Sequence, residues 1–161
     1  MTESVHEQWM RAAFRQAEIA MRLGEVPVGA VVVMDEVMVG AGFNQSISMV
    51  DPTAHAEMVA LRAAARAAGN YRLTGATLYV TVEPCLMCVG AMVHARVGTL
   101  VYGAAEPKWG AICSTIAAHE APGLNHRLDV VSGVCEDECR ELIQRFFKER
   151  RRPAGTETET E

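Results

Sequence analysis

Apolar and polar positions fall along the chain in blocks whose period switches between helical and extended. Over residues 2–23, Val5, Trp9, Ala13, Ala17 and Ala20 recur near helical spacing until Gly24 ends the run, which predicts one amphipathic helix. Residues 26–34 and 37–43 are valine-rich runs separated by Asp35-Glu36, the pattern of a two-stranded hairpin. Residues 54–68 are alanine-rich and stop at Gly69-Asn70, predicting a second helix with His55 and Glu57 in its first turn. Residues 76–82 read as a strand, and 84–95 as a third helix, since proline is tolerated in a first turn. Two short strands, 99–102 and 127–131, flank a Gly-, Ala- and Pro-rich stretch over 103–125 that predicts a loop enclosing a short helix. Residues 136–152 close the pattern as a charged amphipathic helix with Leu142, Ile143, Phe146 and Phe147 on its inner side. Helices interleaved with buried strands give an α/β layered domain on a mixed five-stranded sheet, with an antiparallel hairpin near its N-terminal end.

Composition narrows this picture. A length of 161 residues with 50% apolar content suits one domain with a sizeable core. No apolar run approaches the roughly 20 residues of a membrane span, and the polar, acidic start is unlike a secretory signal, so a soluble cytoplasmic protein is expected. Five cysteines, two of them in a Cys-x-x-Cys, suit metal binding in a reducing compartment better than a disulfide framework. The formal charge of −5 argues against a nucleic-acid partner, yet three glutamates (157, 159 and 161) belong to a Thr/Glu-rich tail. The expected division is a folded domain over 1–152 and a disordered acidic tail over 153–161. Lys148, Arg150, Arg151 and Arg152 cluster at the end of the last helix, either as a solvated helix end that complements the dipole or as a phosphate-binding patch.

Two strings carry chemistry: His55-Ala56-Glu57 and Pro84-Cys85-Leu86-Met87-Cys88. One imidazole and two thiolates make three zinc ligands and leave one coordination position open for water, while Glu57 is free to move protons. Cys85 and Cys88, three residues apart at a helix start, lie on one face, where unsatisfied N–H groups favour thiolates. His55 begins a different helix, so the two helix starts must meet at one edge of the sheet. Separately, a Cys-x-x-Cys also suits a redox pair or half of a structural zinc site, and a His-x-Glu on an alanine-rich helix also suits plain surface. Together they predict hydrolytic removal of an exocyclic amine, with Glu57 as both base and acid. Cys135 and Cys139 read as packing, and Cys113, His94, His119 and His126 are not expected to be ligands.

The same strings, with Glu25-Val26-Pro27-Val28-Gly29-Ala30-Val31, Asp51-Pro52-Thr53-Ala54, Asn70-Tyr71-Arg72-Leu73, Asn125-His126-Arg127 and Phe146-Phe147, resemble the bacterial tRNA-specific adenosine deaminases over nearly everything before Pro153. The resemblance implies a three-layer α/β/α, cytidine-deaminase-like fold, a homodimer, and one Zn2+ per subunit held by His55, Cys85 and Cys88. It implies conversion of adenosine to inosine at the wobble position of an arginine tRNA, the anticodon stem-loop being the partner and no membrane being involved. Asn44 then hydrogen-bonds the flipped nucleotide, Val28 and Ala56 line the base pocket, Glu106 and Lys108 contact the anticodon, and Phe147 and Arg151 meet flanking nucleotides. Read from the residues alone, Asn44 also suits a turn and Phe147 the core. Trp109 stands in the same loop as Glu106, where an aromatic either stacks a base or fills a gap. The rivals are a deaminase of a free base or nucleoside, and an RNA-binding scaffold with a structural metal.

Overall fold

A computed structural model describes residues 3–151. The acidic tail expected over 153–161, and Arg152 of the basic cluster, lie outside those residues. Helix α1 (Val5–Arg22) starts where the Ser4 hydroxyl accepts from the Glu7 N–H (3.1 Å). It buries Met10, Ala13, Ala17 and Ala20, while Val5, the first helical residue, stays exposed. Strand β1 (Gly29–Met34) begins three residues later than the valine run suggests. Pro27 has no N–H for a ladder, and the Val28 N–H turns back to the Val26 carbonyl (2.8 Å). Asp35 and Glu36, both at positive φ, make the tight turn into β2 (Val37–Phe43).

Helix α2 (Ala56–Ala68) ends on Gly69 in the left-handed conformation. A Cβ at Gly42 would overlap α2, so glycine there lets helix and hairpin pack closely. Strand β3 (Thr77–Val82) leads to α3 (Leu86–His94), and β4 (Thr99–Ala104) runs two residues past its predicted end because it pairs with β3 as far as Val82. The loop holds a short 3-10 turn at Ala118–Glu120, followed by β5 (Asp129–Val131) and α4 (Glu136–Arg150).

The sheet order is β2-β1-β3-β4-β5; β1 is antiparallel to β2 and β3, whereas β3, β4 and β5 are parallel. Alternation along β1 splits the core in two. Ala30 and Val32 join Leu78, Val80 and Leu100 beneath α2 and α3, while Val31 and Val33 join Tyr79 and Val101 against α1 and Cys139 of α4. Burial on both faces explains why these strands read as unbroken apolar runs. The result is the three-layer α/β/α architecture.

Strand direction then gathers one edge. The C-terminal end of β3 carries Cys85, the parallel β4 ends beside it, and the antiparallel β1 begins there at Gly29. Phe43, the last residue of β2, pairs with Gly29, and the Asn44 N–H continues the ladder to the Val28 carbonyl (3.1 Å). Asn44, Val28, Cys85 and the segment after Ala104 thus share one rim of the sheet, where α/β folds place their ligand sites.

Candidate active site

His55 and Cys85 are the N-cap residues of α2 and α3, one step outside the helices rather than within their first turns. Neither side chain caps its own helix. The Asn44 side chain does so for α2, its Oδ1 accepting from the Ala56 N–H (2.8 Å), which leaves the His55 ring free to face the thiols. Its Nδ1 lies 3.5 Å from Cys85 Sγ and 3.6 Å from Cys88 Sγ, and the two sulfurs are 3.7 Å apart. A disulfide needs about 2.05 Å between sulfurs, so the pair is not bridged. A tetrahedral zinc ion with ordinary bond lengths sets its ligand atoms about 3.5 Å apart for N and S and about 3.8 Å for two sulfurs. The three donors fit that ion. They are the metal-capable cluster found among the described residues.

Electrostatics agree with the geometry. The Cys88 thiol, donating to Cys85, brings the Cys85 thiol down to about 4; burial opposes this and the His55 contact adds to it. The same contact, together with burial, pushes Cys88 up, and the contact with Cys85 raises His55. Without a cation, then, one of the two thiols ionises and the other stays protonated. A divalent ion changes this by favouring thiolate at both. Glu57, two residues after His55, is only 3% exposed. Burial lifts its carboxyl to about 7, against its own N–H and His55, which pull it down.

These groups sit in a cavity of about 510 Å³. Val28, Asn44, His55, Glu57 and Cys85 line it, as do Glu83, Glu106, Trp109 and Phe147. Ala56 has its side chain fully buried in the core and reaches the site through its N–H bond to Asn44. Lys108 and Arg151 are exposed and outside the cavity lining. Phe147, placed on the inner side of the last helix by periodicity, is instead 38% exposed and borders the cavity, while its neighbour Phe146 is buried. One feature has no counterpart in the local sequence pattern. Glu83, 3% exposed, accepts bonds from the segment that carries Glu106 and Trp109. Its only local signal is a lone acidic residue between an apolar strand and a proline.

Fold and donor set define the class: a deaminase, an enzyme that hydrolyses a C–N bond. Residues 4–151 match the family described as MafB19-like deaminase. The chain is 49% identical over 146 residues to a tRNA-specific adenosine deaminase of Haemophilus influenzae, covering 90% of this chain and 84% of the relative. A solved structure from studies of A-to-I editing by tRNA:A34 deaminases superposes with a TM-score of 0.82 at 42% identity, over 84% of this chain and 98% of the other. A guanine deaminase structure from Bacillus subtilis superposes less fully, with a TM-score of 0.60 at 38% identity over 63% of this chain and 66% of that one. The chain belongs to the tRNA-specific adenosine deaminase family.

Proposed function

We propose that the chain is a zinc-dependent enzyme that deaminates adenosine to inosine at the wobble position of a tRNA, an arginine tRNA being the expected substrate. The carrying observation is the three-donor triangle beside buried Glu57, inside a cavity that exposed aromatic side chains border. His55, Cys85 and Cys88 would hold the zinc, which when bound would supply Lewis acidity that eases the loss of a proton from water near neutral pH. Glu57 takes one proton from the attacking water and delivers it to the ring nitrogen next to the amino-bearing carbon, where it stays; it then takes the second proton from the new hydroxyl and delivers it to the amino group as the C–N bond breaks and ammonia leaves. Burial raises the Glu57 carboxyl above the ordinary carboxylate range, which suits a group that both takes and gives a proton.

Val28 forms an apolar wall for the base, and the Asn44 amide nitrogen, on the far side from its capping oxygen, donates to the nucleotide. Glu106, Lys108, Phe147 and Arg151 meet the flanking nucleotides, with Ala56 holding Asn44 from below. An anticodon loop is single-stranded, so its target base enters the cavity at lower cost than a duplex base. The proposal includes a deaminase domain over 1–152 with one zinc per subunit, a homodimer, and action in the cytoplasm. No helix among the described residues is long and apolar enough to cross a membrane.

Deamination of a free base is the second reading, favoured by the likeness to the Bacillus subtilis guanine deaminase. Ammonia release from an anticodon stem-loop, measured beside free adenosine, guanine and cytidine, separates the two. Release from the stem-loop with inosine at the wobble position is the expected result. Release from a free base alone replaces the first reading with the second.

A further inference from the structure

Glu83 directly follows the end of β3, two residues before Cys85, and its carboxylate is spent entirely on one distant segment. Oε2 accepts three consecutive backbone N–H groups, from Ile112 (3.1 Å), Cys113 (2.8 Å) and Ser114 (3.0 Å). Oε1 accepts from the Glu106 N–H (3.1 Å) and from the Ser114 hydroxyl. Both ends of the segment are therefore gathered onto one side chain, and Glu106, Lys108 and Trp109 hang on the arc between them. A Cβ at Gly110 would overlap the carboxylate, so the arc closes down on it as far as a chain can. Pro84 repeats the attachment one residue later, its carbonyl accepting from the Ala111 N–H (2.8 Å). Other backbone bonds of the arc, such as Gly110 N–H to the Glu106 carbonyl (2.9 Å), are internal and do not fix it to the sheet.

We propose that Glu83 is a positioning residue that holds the Glu106–Trp109 arc at the cavity rim in the conformation that receives nucleic acid. This rests on the tRNA reading of the same site. Glu83 acts through the arc and takes no part in proton transfer, so its loss shows in substrate capture rather than turnover. A carboxylate gathering several N–H donors has no neutral equivalent. An amide in its place keeps one oxygen for part of the set and turns an NH2 group toward N–H donors on the other side.

The test is Glu83→Gln, with Ser114→Ala, which removes only the hydroxyl donor, as a milder second variant. Kinetics on an anticodon stem-loop are measured together with zinc content. In a Trp9→Phe background the remaining indole is Trp109, and its time-resolved fluorescence anisotropy reports the arc directly, with no substrate present. Expected for Glu83→Gln is a KM higher by about tenfold with kcat within about twofold, zinc retained, and faster local depolarisation of Trp109; Ser114→Ala shifts KM and anisotropy the same way by less. Unchanged anisotropy, or a fall in kcat or zinc content at constant KM, overturns the proposal. If Glu83→Gln does not fold, Ser114→Ala decides by the same two readouts. If the unsubstituted enzyme leaves the stem-loop untouched, the tRNA reading fails, while the anisotropy still decides whether Glu83 holds the arc.

Discussion

The base of the cavity and its rim are built by different means. At the base, His55, Glu57, Cys85 and Cys88 occupy two helix starts, and the sheet's strand directions bring those starts together. At the rim, the buried Glu83 carboxylate holds irregular chain over residues 106–114 by its N–H groups. Outside the cavity lining, Glu25, 2% exposed, holds the loop after Asn44 in the same way, accepting from Ile47 (3.1 Å) and Ser48 (2.7 Å). The base is thus fixed by regular structure and short spacing, and the rim by single side chains acting over long sequence distances. Chemistry can stay constant at the base while the rim alters what is admitted.

The largest way to test this contrast is Glu57→Gln. It removes the proposed proton carrier and leaves the donor triangle and rim in place, so turnover should fall by about 10²- to 10⁴-fold while zinc content and Tm stay near those of the parent. Inosine formation and metal analysis on one preparation check it. A rim whose loss equals that of Glu57 would erase the distinction.

Adjacent phenylalanines sharpen it further. Phe146 is buried, with the Arg150 guanidinium 4.7 Å from its ring centroid, and Arg150 also donates to the Gly24 carbonyl, fastening α4 to the end of α1. Phe146→Ala should cost about 3–5 kcal/mol of unfolding free energy. Phe147→Ala should cost less than about 1 kcal/mol and raise KM for the stem-loop several-fold instead. Denaturant melts and Michaelis curves on both variants decide whether the boundary between core and rim falls between these two residues.

The smallest effect is expected in acid. Burial alone would raise Glu25 and Glu83, but the N–H bonds each accepts, with the Ser114 hydroxyl for Glu83, outweigh it and bring both below the usual carboxylate range. A carboxyl lowered on folding stabilises fully above its unfolded value of about 4.3 and loses that contribution as pH falls through its folded value. The parent Tm should therefore drop below about pH 4, and a Glu25→Gln, Glu83→Gln double variant should start lower and show a flatter acid limb. Equal acid limbs would mean that the two carboxyls do not anchor these loops.

The same contrast decides what could be read before any coordinates. The three metal-capable side chains and Glu57 stand within short strings whose spacing is itself the signal, and the five strands and four α-helices of the described residues follow from periodicity, with ends shifted by caps and by Pro27. For a geometric reason, periodicity alone places Phe147 on the inner side of α4, whereas the resemblance sets it against nucleotides. At about 100° per residue, Leu142, Phe146, Ile143 and Phe147 follow one another across a stripe of roughly 140°, wider than the face α4 buries, so Ile143 and Phe147, together on one side of it, turn to the cavity. Glu83 and Glu25 were not legible as anchors, because an acceptor bonded to backbone N–H groups 20 to 30 residues away leaves no residue-type pattern at either end.

Asn44 lends its oxygen to the first turn of α2, and the amide plane is pinned as a result. On the proposed reading its amide nitrogen is left to donate a hydrogen bond and cannot accept one, so a guest must bring a lone pair to that spot. An aspartate of the same shape would invert this polarity and repel such a guest, even with every other atom of the chamber unchanged.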